Sequence, residues 1–190
     1  MTPALTLLIL PLTLVACAAS PQAETTVAAA PTPQSIAGAE LIGPRTPALS
    51  PDGARMAFSH QGDIWVADVA DGAAVRLTAN PAYESFPTWS PDGRSLAFRS
   101  NRHGNYDIYS VPSAGGALTR MTYHSEHDMP HEWIDNQTVL LGAARERWYS
   151  RYGRAQILWS AHVDARTPEL LGDFPAINPS LSPDGAWAVY

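Results

Sequence analysis

The feature that most limits how this chain can fold is a tetrapeptide that occurs three times. Ser50-Pro51-Asp52-Gly53, Ser90-Pro91-Asp92-Gly93 and Ser182-Pro183-Asp184-Gly185 are identical, and each follows a large apolar residue, Leu49, Trp89 or Leu181. Trp133-Ile134-Asp135-Asn136 fills the same slot in degenerate form, so the apolar anchors fall at 49, 89, 133 and 181, spaced by 40, 44 and 48 residues. The tetrapeptide has the chemistry of a tight turn. Proline presets φ at the second position, aspartate suits the third, and glycine accepts the positive φ that follows. Self-similarity at this period marks an architecture of stacked units, each too small to bury its own apolar face.

The flanks of each turn read as strands. Arg55-Met56-Ala57-Phe58, Ser95-Leu96-Ala97-Phe98, Val139-Leu140-Leu141 and Ala186-Trp187-Ala188-Val189-Tyr190 follow the four turns. A third element starts at Asp63-Ile64-Trp65-Val66, at Asp107-Ile108-Tyr109-Ser110 and at Gln156-Ile157-Leu158-Trp159. A fourth, Val75–Thr78 and Leu118–Thr122, comes after glycines at Gly72 and Gly115-Gly116. Four short antiparallel strands in 40–48 residues is the strand arithmetic of a propeller blade. After residue 40 no window of eleven or more residues shows helical periodicity. The predicted fold is therefore all-β, an incomplete β-propeller of about three and a half four-stranded antiparallel blades. The blades are expected at about 41–80, 81–124, 125–172 and 173–190, the last truncated because Tyr190 falls inside a strand pattern. An unclosed arc leaves sheet edges unpaired.

The first forty residues read differently. Residues 4–16, ALTLLILPLTLVA, form an uncharged run too short to span a bilayer and suited to the apolar centre of an export signal. It ends Leu14-Val15-Ala16-Cys17, which resembles a bacterial lipobox, in which Cys17 carries the lipid. That assigns residues 1–17 to a lipoprotein-type signal peptide. The alternative is a plain A-x-A cleavage site and a soluble periplasmic product. Residues 18–40 are rich in Ala, Pro and Thr with no apolar period, the composition of a disordered, flexible linker.

Composition removes several chemistries. All twelve basic residues are arginine, which excludes a Schiff-base lysine, a Ser–Lys dyad and a P-loop lysine. A single cysteine excludes an intrachain disulfide and a cysteine-based zinc site. The net charge of −6 opposes nucleic-acid binding, which draws most of its affinity from phosphate neutralisation. No G-x-S-x-G occurs, and no catalytic residue or cofactor is assigned. His124, His127 and His131 lie in a polar stretch that could hold a metal. The spacing matches no known helix motif, and an inter-blade loop without metal is the plainer reading. Arg145, Arg147, Arg151 and Arg154, interleaved with Trp148, Tyr149 and Tyr152, could contact a peptide or carboxylate, or pack as a long hairpin. Asp63 and Asp107 read as turn-holding groups that satisfy backbone donors. Trp65, Trp89, Trp133 and Trp159 read as inter-blade core.

The repeat resembles the TolB-like, WD-type propeller unit, best in Pro87, Trp89, the turn, Leu96-Ala97-Phe98, Gly104 and Asp107-Ile108-Tyr109. Thr122-Tyr123-His124 and the segment 145–154 are similar to the first propeller of tricorn-type proteases. The resemblance covers residues 41–190 and implies a non-catalytic binding and substrate-gating segment of an exported tricorn-like peptidase, a fragment of a longer protein. Two alternatives are a TolB-like periplasmic scaffold and the propeller of another hydrolase, a prolyl oligopeptidase or an amidohydrolase fusion. The implied partner is a protein or peptide. Membrane association is expected only through the lipid anchor, with the product periplasmic or anchored to the outer membrane.

Overall fold

The computed structural model describes residues 34–36, 43–143, 156–176, 178–182 and 188–189. Among them there is no helix, and every strand pairing is antiparallel. The first sheet holds β1 (Gln34–Ile36), β2 (Arg45–Leu49), β3 (Arg55–His60), β4 (Asp63–Asp68) and β5 (Ala74–Arg76), in the order β1-β5-β4-β3-β2. The second holds β6 (Glu84–Trp89), β7 (Ser95–His103), β8 (Asn105–Pro112) and β9 (Thr119–Arg120) in sequential order. The third holds β10 (Asp128–Trp133), β11 (Thr138–Ala143), β12 (Gln156–His162) and β13 (Glu169–Ala176), also sequential. A two-stranded sheet of β14 (Ser180–Leu181) and β15 (Ala188–Val189) follows. This is an incomplete propeller. One difference from the sequence reading lies at its start. Gln34–Ile36, assigned above to a disordered linker, pair with Ala74–Arg76 as a fifth strand on the first sheet. Backbone pairing to an open edge needs no apolar periodicity, so composition could not reveal it.

The turns owe their shape to two side chains. Gly53 has φ +72° and Gly93 φ +68°. Ser50 Oγ donates to Asp52 Oδ1 at 2.5 Å and accepts from the Arg55 N–H at 2.9 Å. Ser90 Oγ does the same with Asp92 (2.6 Å) and Ser95 (2.9 Å). Each aspartate also accepts the N–H two residues on, from Ala54 and Arg94. These bonds hold the Asp52 and Asp92 carboxyls below the ordinary carboxylate value, the serine hydroxyl contributing most. In the degenerate turn Asp135 accepts from the N–H groups of Gln137 and Thr138, both at 2.7 Å. Of the tetrapeptide 182–185 only Ser182 is among the described residues, and the strands on either side of it pair Leu181 with Ala188.

The middle strands β3, β4, β7, β8 and β11 carry continuous buried runs rather than alternating, because both of their faces are covered. In β7, Leu96 and Phe98 enter the core shared with the first sheet, while Ala97 enters the core shared with the third. In β11, Val139 and Leu141 face the second sheet and Leu140 faces the last. The two anchor tryptophans lock neighbouring blades. Trp89 Nε1 donates to the Ala48 carbonyl of the first sheet at 2.9 Å, and Trp133 Nε1 to the Thr88 carbonyl of the second at 3.0 Å. Trp65 takes a different place from that expected, packing with Phe58 and Ala74 on the opposite face of the first sheet.

Candidate functional site

The innermost strands of the first three sheets converge on a cavity of about 190 Å³ lined by Thr46, Pro47, Phe86, Pro87, Pro130 and His131. These are equivalent positions in three blades, two and three residues before the anchors at 49, 89 and 133. Each strand bulges there: pairing slips between Arg45 and Ala48, between Ser85 and Thr88, and between Pro130 and Glu132. Thr46 and Phe86 hold φ at +49° and +56°, and Asn178, at the same position ahead of the fourth anchor, holds +50°. All three precede a proline, Pro47, Pro87 and Pro179. A β-branched or aromatic residue in this region costs on the order of 1–3 kcal/mol and persists only where the surroundings enforce it. Part of that enforcement is visible, since the Thr46 hydroxyl accepts the Phe86 N–H at 3.2 Å across the blade junction.

Phe86 connects this cavity to a second cluster. Its ring centroid lies 4.4 Å from Arg99 Cζ, and the Tyr106 ring lies 4.5 Å from the same atom. Arg99 Nε donates to Ser85 Oγ at 3.0 Å, and one terminal nitrogen reaches Met129 Sδ at 3.8 Å. Burial holds the Arg99 guanidinium below its ordinary value. Ten residues after the first anchor, the place of Arg99 is taken by Ser59. There the smaller side chain lines an opening of about 420 Å³ with Arg45, His60 and Tyr83.

The three candidate histidines separate. His127 Nδ1 accepts the Tyr106 N–H at 3.0 Å, and its ring is tilted against Tyr106. His124 Nδ1 accepts the Glu126 N–H at 3.1 Å, closing its own turn. His131 lines the axial cavity. Asn105 fixes the loop by donating to the carbonyls of His124 (2.7 Å) and Glu126 (2.9 Å). Among the described residues no group of three His, Cys, Asp or Glu is placed to hold a metal ion. Arg145, Arg147, Arg151, Arg154 and Cys17 lie outside the described residues.

The strand-leading aspartates, expected to hold turns, bond chiefly to arginines. Asp63 Oδ2 pairs with Arg76 at 2.5 Å, and Asp107 Oδ2 with Arg120 at 2.6 Å. Asp63 Oδ1 accepts one backbone donor, the Asn80 N–H. Both arginines donate Nε to a threonine carbonyl, Thr78 or Thr122, whose hydroxyl accepts the N–H of Ile64 or Ile108. A fully buried carboxylate, Glu84, sits at the next junction and pairs with Arg102. Burial raises the Glu84 carboxyl, and it likewise raises Asp107. Each of these ion pairs lies within one sheet, Asp63–Arg76 in the first, and Asp107–Arg120 and Glu84–Arg102 in the second.

Sequence reasoning missed Phe86 and Arg99. The available signal was the recurrence of a residue-proline pair before three of the four anchors, at Thr46-Pro47, Phe86-Pro87 and Asn178-Pro179. Nothing in the repeat distinguishes Arg99.

Comparison with known proteins agrees with this architecture. The profile described as the Tricorn protease N-terminal beta propeller domain matches residues 44–190. Tricorn protease homolog 1 of Streptomyces coelicolor is 34% identical over 108 residues, which is 56% of this chain and 10% of that protein. The uncharacterized peptidase YuxL of Bacillus subtilis is 31% identical over 93 residues, 43% of this chain and 14% of its own length. The chain thus spans a small part of these relatives. Among solved structures, the tricorn protease superposes with a TM-score of 0.60 at 18% identity, covering 74% of this chain and 14% of that one. TolB from Acinetobacter baumannii superposes with a TM-score of 0.56 at 22% identity, covering 77% and 37%. The structural likenesses establish the fold, and the profile match over most of the chain establishes the family: this protein belongs to the tricorn protease N-terminal β-propeller family.

Proposed function

We propose that the chain is a binding and substrate-gating segment, itself without catalytic residues, of an exported tricorn-like peptidase, and that it is one part of a longer protein. The observation that carries this reading is the axial cavity, where three blades each present a proline and two of them, at Thr46 and Phe86, a left-handed residue to one small space. Such a surface suits an extended polypeptide, because its backbone is held by the fold while its lining varies from blade to blade. Photo-crosslinking tests it. Benzoylphenylalanine at Phe86 should capture peptides from a casein digest, whereas the same group at Val69, exposed on the first sheet's β4–β5 turn, should not. Equal capture at both positions, or time-dependent hydrolysis of the digest by the purified chain, would refute the reading.

The same reading places the chain outside the cytoplasm with lipid on Cys17. It is supported by the apolar run and the Leu14-Val15-Ala16-Cys17 sequence. Expressed in a bacterium fed labelled palmitate, the chain should incorporate label that Cys17→Ser abolishes. Unlabelled wild-type protein recovered from the periplasm would instead favour simple secretion.

A further inference from the structure

We propose that Arg99 is a carboxylate receptor at the axial face, taking a carboxylate of an incoming peptide, and this rests on the peptide-binding reading above. Arg76, Arg120 and Arg102 each face a carboxylate of this chain, Asp63, Asp107 and Glu84. Arg99 faces none among the described residues. A partly buried guanidinium without an anion is costly, and a ligand carboxylate would supply the missing counter-charge. The group is also held ready. Two aromatic rings lie within 4.5 Å of Cζ, and Ser85 fixes Nε. One terminal nitrogen is engaged only by a thioether, a weak acceptor. The other makes no hydrogen bond among the described residues, and it is not among their fully buried unpartnered atoms. Two terminal N–H groups on one edge of a planar fork match the two oxygens of one carboxylate. Phe86, shared between Arg99 and the axial cavity, brings the charge to the rim of the space where the peptide would lie.

The carboxylate could come from an Asp or Glu side chain or from a chain terminus, and the test separates them. Three acetylated pentapeptides are titrated into the full chain by calorimetry: one with a central Glu and an amidated end, one uncharged in its side chains with a free carboxyl end, and one with central Gln and an amidated end. At least one carboxylate-bearing peptide should bind about tenfold or more tightly than the neutral one, and which does identifies the source. Arg99→Gln should abolish the preference, so that all three peptides bind with one common affinity. Should that variant not fold, the Arg99 Nε resonance of the wild type, followed by NMR, should shift with the preferred peptide and stay still with the neutral one. A preference that survives Arg99→Gln, or an unmoved resonance, overturns the assignment. Equal binding of all three peptides to the wild type overturns it while leaving peptide binding intact. Binding of none overturns both.

Discussion

Glu84 shows how much a single buried group in this molecule depends on its neighbours. Its side chain is fully covered, it pairs with Arg102, and the Arg102 guanidinium in turn lies 4.6 Å from the Tyr109 ring. Despite the pair, burial wins and the carboxyl is raised, which means the folded state holds this proton more tightly than the unfolded chain does. The consequence for stability has a definite sign. A group whose folded pKa is raised disfavours folding increasingly as pH climbs from its ordinary value of 4.5 through the raised one. Glu84→Gln keeps the shape and the oxygen facing Arg102 while removing the titration. Urea unfolding at pH 4 and at pH 7 should therefore show the variant gaining on the wild type as pH rises. A variant that instead loses ground at pH 7 would mean that the ion pair outweighs desolvation. The turn aspartates act oppositely: with Asp52 and Asp92 lowered, their contribution is present above 3.8 and is lost as pH falls below it.

At the scale of elements, the hairpins were legible and the joints between blades were not. The Ser-Pro-Asp-Gly turn is a local object whose proline, aspartate and glycine each act within four residues, so its strands could be placed from sequence alone. The same holds for the degenerate turn, where Asp135 reproduces the backbone bonds without the proline. Asp63 and Asp107 looked local too, yet their main partners are arginines thirteen residues away on the following strand, reached only through sheet register. Arg99 is further still from sequence logic. Its surroundings come from β6, β8 and β10, and the twist that brings Met129 of the next blade beside it leaves no mark on the repeat. The left-handed residues before Pro47 and Pro87 run against the preference of a pre-proline position for extended backbone, so propensity points away from them. What was hidden in the sequence is therefore the register that pairs side chains across strands of one sheet, and the contacts between sheets that set the candidate site.

Across the described residues, the apolar cores are shared between neighbouring sheets, as in a solenoid, and stability should follow that order. The first and second sheets share a core built on Trp89, Leu96 and Phe98, and the second and third share another built on Ile108, Met121 and Trp133. The third and the two-stranded sheet share a smaller one, Leu140, Leu158, Ala176 and Leu181. Among these units the second sheet alone has an extensive core on both faces. Its opening requires both interfaces to part, whereas β14–β15 is held by Leu181 and a hydrogen bond from the Leu181 N–H to Glu132, with Val189 exposed. Hydrogen exchange in the full chain should accordingly rank amides in Leu96–Phe98 and Ile108–Ser110 as the slowest, those of β3 and β11 next, and those of β14–β15 the fastest. Truncating Trp89 to Ala should lower protection in the first and second sheets together, because one indole supplies packing to both and a hydrogen bond to Ala48. Uniform protection across all sheets would show a single cooperative unit and refute the neighbour-by-neighbour picture. Fast exchange in the second sheet alone would mean that its two cores do not hold it, and the rigid platform beneath Phe86 and Arg99 would be lost with it.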